Sequence, residues 1–102
     1  AFDVSTKNEL SGNRVFCDLG PAMPDGFRLD LAGNVWTSAG WAGSGHDGVQ
    51  IFAPDGTKIG AIHLPEGVSN LCFGGIKRNR LFITGGQSIF SLYVAVQGMP
   101  YF

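Results

Sequence analysis

Two aspartates stand in identical Pro-Asp-Gly triplets, at 24–26 and 54–56. An aspartate of this kind either accepts a hydrogen bond from its own turn, which is the commoner use, or offers its carboxylate to a hard divalent cation. Asp55 joins two strand-like runs, VQIFA and KIGAIHL, and is expected to be an ordinary hairpin-turn residue. Asp25 precedes another strand-like run, FRLDL, and its residue type leaves both uses open.

A second candidate is the segment WAGSGHDGVQ at 41–50, in which three glycines have the G-x-G-x-x-G spacing of a dinucleotide-binding turn. That motif binds phosphate only where a helix begins from it, because the helix N-terminus supplies the amide groups. The residues after Gly48 instead read as a strand, so nucleotide binding is not expected. The segment is predicted to be a rim loop. Trp41 and His46 either line the mouth of a pocket there or, alternatively, cover a sheet edge and face solvent, respectively.

The other reactive side chains form no competing constellation. Cys17 and Cys72 are the only cysteines, and each lies in an apolar run without a matching basic partner. Buried free thiols are therefore expected, not a disulfide, a zinc site or a nucleophile. Trp36 is expected in the core, His63 at an edge or in solvent, and Asp30 in a hairpin turn.

Composition limits the classes of function. The chain has 102 residues and a formal net charge of −1, so neither nucleic acid nor a membrane is an expected partner. The basic cluster at 77–80 is expected to be a solvated turn. No apolar run has the length of a membrane span and no signal peptide is visible, which leaves cytoplasm and periplasm both open. Because the chain begins at Ala1 in what reads as a structured segment, further sequence upstream is expected.

Short strands must position these candidates, because 16 glycines and 5 prolines interrupt the stretches long enough for a helix. The chain is expected to be all-β, a meander of antiparallel hairpins with almost no helix. Predicted strands, separated by turn signals, cover 14–18, 27–31, 35–38, 49–52, 58–64, 71–73, 80–84 and 88–96.

An internal repeat indicates how the hairpins are grouped. FRLDLAGNVWTSAGW resembles NLCFGGIKRNRLFITGG once a three-residue insertion is allowed, which aligns Trp36 with Phe82 at a period of about 46 residues. Four short strands at such a period are typical of β-propeller blades. Residues 1–102 are therefore predicted to form a partial propeller domain of about two four-stranded antiparallel blades. Because two blades cannot close a ring, we expect a piece of a longer protein or an assembly of copies.

Three separated motifs resemble one known family. MPDGFRLDLAGNVWTSA, GVQIFAPDGTKIGAIHLPE and VSNLCFGGIKRNRLFIT occur in the order and spacing of the last third of the gluconolactonase/regucalcin family of six-bladed propellers. The resemblance implies hydrolysis of lactones or related esters with a divalent cation, calcium first and zinc, magnesium or manganese as alternatives. It implies that Asp25 is both a metal ligand and a catalytic residue. The family's other two ligands, a Glu and an Asn, would lie upstream of Ala1.

The remaining predictions concern substrate and partners. Asn70 has, one blade later, nearly the position of Asp25, and it either faces the channel as a substrate-binding residue or caps the turn before its strand. Trp41 and His46 are the other predicted substrate-binding residues. The expected partners are a small lactone or ester and either the remaining blades or another copy of the chain. Two alternatives to a lactonase remain: a non-catalytic propeller fragment, and a binding or structural module that completes a ring with another chain.

Overall fold

The computed structural model describes residues 1–100. Within them nine strands and no helix are present, which confirms the all-β fold class and leaves no helix able to span a membrane. The strands are β1 (Asp3–Val4), β2 (Leu10–Ser11), β3 (Phe27–Leu29), β4 (Val35–Ala39), β5 (Gly48–Phe52), β6 (Lys58–His63), β7 (Val68–Gly74), β8 (Arg80–Gly85) and β9 (Ile89–Tyr93).

The strands form three antiparallel sheets, in which each strand pairs with its neighbour in sequence. They are a β1–β2 hairpin, a four-stranded sheet in the order β3-β4-β5-β6 and a three-stranded sheet in the order β7-β8-β9. The last sheet has one strand fewer than expected because the chain leaves it after Tyr93, earlier than predicted. Val94 and Gly98 instead donate backbone hydrogen bonds to the carbonyls of Asn79 and Arg78, at 2.9 and 2.8 Å.

The core lies between the four-stranded and the three-stranded sheet. Trp36, which was expected there, is buried and meets Phe73 edge to face, with ring centroids 5.3 Å apart. This geometry is the one that the quadrupoles of two aromatic rings favour. The buried residues of the cluster are Trp36, Val49, Val68, Leu71, Phe73, Leu81 and Ile83.

A buried carboxylate closes the hairpin between β3 and β4. Asp30 is fully buried, and its oxygens accept hydrogen bonds from the Trp36 indole at 2.9 Å and from the side chain and backbone of Asn34 at 2.9 and 3.0 Å. The backbone N–H of Ala32 donates to it as well, at 3.0 Å. Burial by itself would raise the pKa of Asp30, but these bonds outweigh it and hold the pKa below its ordinary value. The expected hairpin role of Asp30 is confirmed.

Strand direction places four loops at one end of both large sheets, here called the upper rim: 23–26, 40–47, 64–67 and 86–88. Strands β3, β5, β7 and β9 begin at this end, and β4, β6 and β8 end there. Contacts between the sheets fix their common orientation, since the N–H of Gly26 donates to the Ser69 carbonyl at 2.8 Å. The upper rim is therefore where side chains from several strands can meet.

The N-terminal part differs from the prediction. The predicted strand at 14–18 is not a strand, and the β1–β2 hairpin was not foreseen. Val15 is 83% exposed, and no described strand pairs with this segment, so its β-forming side chains have no partner to build a ladder with. Cys17 and Cys72 are free, as expected, but half-buried instead of buried. Partial burial and the neighbouring Asp18 carboxylate raise the pKa of the Cys17 thiol.

Candidate active site

Asp25 lies in the upper-rim loop that leads into β3, with its side chain exposed. Its backbone N–H donates to Oγ of Ser38 at 2.8 Å, and the N–H of Ser38 donates to the carbonyl of Gly26 at 2.9 Å. The backbone of this loop is therefore fixed by β4 while the carboxylate is left facing solvent.

The Asp25 carboxylate differs from every other aspartate carboxylate of the chain. Within residues 1–100 it has no hydrogen-bond or ion-pair partner, whereas the other five each have one. Asp55, in the matching triplet, accepts a hydrogen bond from the Thr57 N–H at 2.9 Å, and this bond lowers its pKa. The remaining partners are Arg14 for Asp3, the Gly20 N–H for Asp18, the donors described above for Asp30, and the Ala42 N–H for Asp47. Asp55 is thus a turn residue, as predicted, and Asp25 is not used in that way.

Asn70 is brought next to the Asp25 loop by the packing of β7 against β3. The register of β7 shifts between Val68 and Asn70, and the Asn70 amide lies against Gly26, where a Cβ would overlap its oxygen. Oδ1 of Asn70 also accepts the N–H of Leu71 at 2.9 Å, which is the local bond expected of a turn residue. Both predicted uses of Asn70 are therefore compatible, because its NH₂ group has no partner within residues 1–100.

Trp41 opens the 40–47 loop at the same rim. Its side chain is 63% exposed, and its ring lies over Gly67, with ring carbons 3.0 to 3.2 Å from the position a Cβ would take there. Its φ of 62° is in the left-handed region, which a bulky side chain seldom adopts. The loop is closed by buried Asp47, whose Oδ1 accepts the N–H of Ala42 at 3.0 Å. Trp41 therefore forms a fixed apolar surface beside the start of β7.

His46 belongs to a different part of the molecule. It is exposed and lines a cavity of about 230 Å³ that β5 and β6 form with residues 18–21. His63, which is exposed as predicted, lines the same cavity, but Asp25, Trp41 and Asn70 do not. The structure therefore brings together three of the four predicted site regions at the rim and separates His46 from them.

The donors at the rim fit a hard divalent cation in kind but not in number. Asp25 supplies a free carboxylate, and calcium takes about six to eight oxygen ligands. Residues 1–100 contain no cluster of three or more His, Cys, Asp or Glu side chains able to hold a metal ion. The described part of the chain can therefore supply one carboxylate ligand of such a site, with the other ligands coming from elsewhere.

Sequence reasoning missed the residues that hold the loop in place. Ser38 is fully buried in β4, and its partner Asp25 is thirteen residues away. The one available signal was a pair of hydroxyl residues, Thr37 and Ser38, in an otherwise apolar strand. Asp47 and Gly67, which support Trp41, gave no signal beyond loop composition.

Comparison with known proteins gives a consistent family. The profile of the SMP-30/Gluconolactonase/LRE-like region matches residues 1–87. The chain is 33% identical over 102 aligned residues to pentonolactonase XacC of Haloferax volcanii, covering 80% of this chain and 34% of that protein. It is 39% identical over 69 residues to a gluconolactonase of Zymomonas mobilis subsp. mobilis, covering 66% of this chain and 17% of that protein.

A solved structure extends the match to the fold. An X-ray structure of a protein put forward as a gluconolactonase superposes with a TM-score of 0.85 at 32% identity, over 98% of this chain and 32% of that one. The predicted propeller blades are thereby confirmed, because the sheets overlie part of a gluconolactonase propeller. The chain spans about a third of the length of these relatives or less.

Proposed function

Because the chain belongs to the SMP-30/gluconolactonase/LRE-like family, we propose that it is part of a lactonase that opens a gluconolactone-like ring with the aid of a divalent cation. Calcium is the proposed cation, and zinc, magnesium and manganese are alternatives for the same assay. Asp25 is the proposed ligand and proton acceptor, and Trp41 and Asn70 are the proposed substrate contacts. His46 has no role in this mechanism because it lines another cavity.

The free carboxylate of Asp25 is the observation that carries the proposal. An aspartate in a turn ordinarily accepts a hydrogen bond from the turn, and Asp55 does so from the Thr57 N–H at 2.9 Å. Asp25 has the same two neighbours in sequence, yet its oxygens have no partner within residues 1–100 while its backbone is fixed by Ser38. A fixed, exposed and unpaired carboxylate at the rim of a propeller is what a cation ligand requires.

The proposed chemistry is hydrolysis of a cyclic ester. A bound divalent cation supplies polarisation of the lactone carbonyl and a lowered pKa for bound water. Asp25 accepts a proton from the water that adds to the carbonyl carbon, and this proton leaves with the ring oxygen when the ring C–O bond breaks. The free NH₂ group of Asn70 donates to a polar substrate oxygen, and the exposed Trp41 ring packs against the apolar face of the substrate ring.

The proposed site needs more chain than residues 1–100. Sheet faces and edges that further blades would cover carry exposed apolar side chains, among them Ile89 at 76% and Tyr93 at 72%. We propose that further blades of the same protein cover these surfaces and supply the other ligands, and we call this chain together with those blades the whole propeller. Another copy of the chain is the alternative partner.

The experiment compares two matched substitutions in the whole propeller. Asp25→Asn keeps the size of the side chain but removes its charge, so lactone hydrolysis should fall steeply and recover in part at high metal concentration, since mass action offsets weaker binding. Asp55→Asn should leave hydrolysis nearly unchanged. Equal losses of activity from both substitutions, matched by equal losses of folded protein, would show that both aspartates are turn residues. Absence of any lactone hydrolysis by the intact, metal-loaded propeller would favour the non-catalytic alternative.

A further inference from the structure

Three hydrogen bonds hold the Asp25 loop at the atoms next to the carboxylate. The N–H of Asp25 donates to Oγ of Ser38 at 2.8 Å, and the N–H of Ser38 returns a bond to the Gly26 carbonyl at 2.9 Å. The N–H of Gly26 donates to the carbonyl of Ser69 on β7 at 2.8 Å. The peptide between Asp25 and Gly26 is thus tied both to β4 of its own sheet and to the inner strand of the next sheet.

Only one of these bonds depends on a side chain. The carbonyls of Gly26 and Ser69 and the N–H of Ser38 are backbone groups that any sequence with this fold provides. The Ser38 hydroxyl is different, because it exists only if residue 38 carries it, and it is completely buried. Residue 38 therefore decides whether the Asp25 N–H has an acceptor.

We propose that Ser38 is a positioning residue for Asp25. Its hydroxyl oxygen fixes the backbone of Asp25, so that the carboxylate is presented at the rim in the orientation that binds the cation. The inference rests on the proposed function of Asp25. Pre-orientation of a ligand strengthens binding because less conformational freedom is lost when the ion arrives.

A purely structural role for Ser38 makes a different prediction. A hydroxyl that only satisfies a buried N–H contributes to folding, and its removal weakens the fold without a specific effect on metal affinity. The two roles are distinguished by whether the effect of Ser38 on metal affinity depends on the carboxylate of Asp25. A double-mutant cycle measures this dependence.

The cycle uses the whole propeller and calcium alone as the probe, with the dissociation constant measured by titration calorimetry. The variants are Ser38→Ala, Asp25→Asn and the double variant, and Asn at 25 keeps one oxygen so that weak binding stays measurable at higher calcium concentration. Ser38→Ala should weaken calcium binding about fivefold to tenfold, the equivalent of one hydrogen bond. In the Asp25→Asn background the same change should have an effect of about twofold or less, because no carboxylate remains to be oriented.

A matched control lies on the same strand. Thr37 is buried and its Oγ1 donates to the Ser38 carbonyl at 3.2 Å, but it does not contact the Asp25 amide. Thr37→Val removes a buried hydroxyl at nearly constant volume. It should lower the stability of the propeller and leave the calcium dissociation constant unchanged.

The outcomes separate the two proposals. If Asp25→Asn leaves calcium affinity unchanged, the proposed function of Asp25 is wrong. If Asp25→Asn weakens binding but Ser38→Ala does not, or weakens it equally in both backgrounds, the positioning role of Ser38 is wrong while the function of Asp25 stands. Should the Ser38→Ala propeller not fold, Ser38→Cys, whose sulfur is a poorer acceptor, replaces it in the same cycle, and the same results support or overturn the positioning role.

Discussion

Gly26 has no room for a side chain, and Gly26→Ala should therefore damage the proposed site and the fold together. A Cβ built on Gly26 overlaps Oδ1 of Asn70 and lies 2.5 Å from its Cγ and 3.1 Å from its Cα. A rotation of the Asn70 side chain relieves the first two contacts but not the third, because the Cα belongs to the backbone of β7. The loop that carries Asp25 and the strand that carries Asn70 would have to move apart.

The structure sets the expected size of the effect. Inserting a methyl group into a packed site costs about 1–3 kcal/mol. Movement of the loop also weakens the bonds that Gly26 makes with Ser38 and Ser69, each contributing about 0.5–1.5 kcal/mol. Gly26→Ala should thus lower the free energy of unfolding by about 2–6 kcal/mol, and calcium binding should weaken because the Asp25 carboxylate is displaced.

A second substitution tests the cause. Asn70→Ala removes the overlapping amide, so it should recover much of the stability in the Gly26→Ala background while costing little in the parent. The control is Gly86→Ala, since the nearest atom to a Cβ at Gly86 is Oε2 of Glu66 at 3.7 Å. Urea unfolding followed by tryptophan fluorescence measures all four proteins. Steric overlap at Gly26 is refuted as the cause if Gly26→Ala is as stable as Gly86→Ala, or if Asn70→Ala recovers nothing.

Two further predictions concern the scaffold. Asp30→Asn should lower the free energy of unfolding by about 1–3 kcal/mol at neutral pH, because an amide cannot accept from all the donors around it. The folded-state pKa of Asp30 is lowered, so its contribution is complete above the ordinary carboxyl pKa and is lost as the pH falls through the lowered value; urea midpoints in acid should therefore fall less for Asp30→Asn than for the parent, and equal declines would contradict this. Gly48→Ala should cost roughly 3 kcal/mol or more, because Gly48 has a φ of 143° and a Cβ there meets the Ile62 carbonyl; thermal unfolding within a degree of the parent would show this prediction to be wrong.

Most of the strands could be predicted because their signals are local. Turn residues and apolar runs predicted strands corresponding to β3 to β9, and the repeat that aligns Trp36 with Phe82 predicted their grouping. The segment at 14–18 has the same local signal but no described strand to pair with. Strand formation depends on a neighbour as well as on the residues themselves, which is why the prediction failed there.

The difference between Asp25 and Asp55 could not be predicted from their identical triplets. Thr57, two residues after Asp55, is still in the turn, and its N–H points back to the carboxylate at 2.9 Å. Phe27, two residues after Asp25, is already the first residue of β3 and pairs with Thr37. The carboxylate of Asp25 is consequently left free by the path of the chain, and the residue that fixes its backbone, Ser38, is distant in sequence.

The position of the cation in crystals of the whole propeller grown with calcium tests the proposed role of Asp25 most directly, because anomalous scattering identifies the ion independently of activity. We expect a calcium ion at the upper rim with an oxygen of Asp25 at about 2.3–2.6 Å and no ion at Asp55. A calcium ion bound elsewhere in the propeller, with the Asp25 carboxylate still in solvent, would contradict that role.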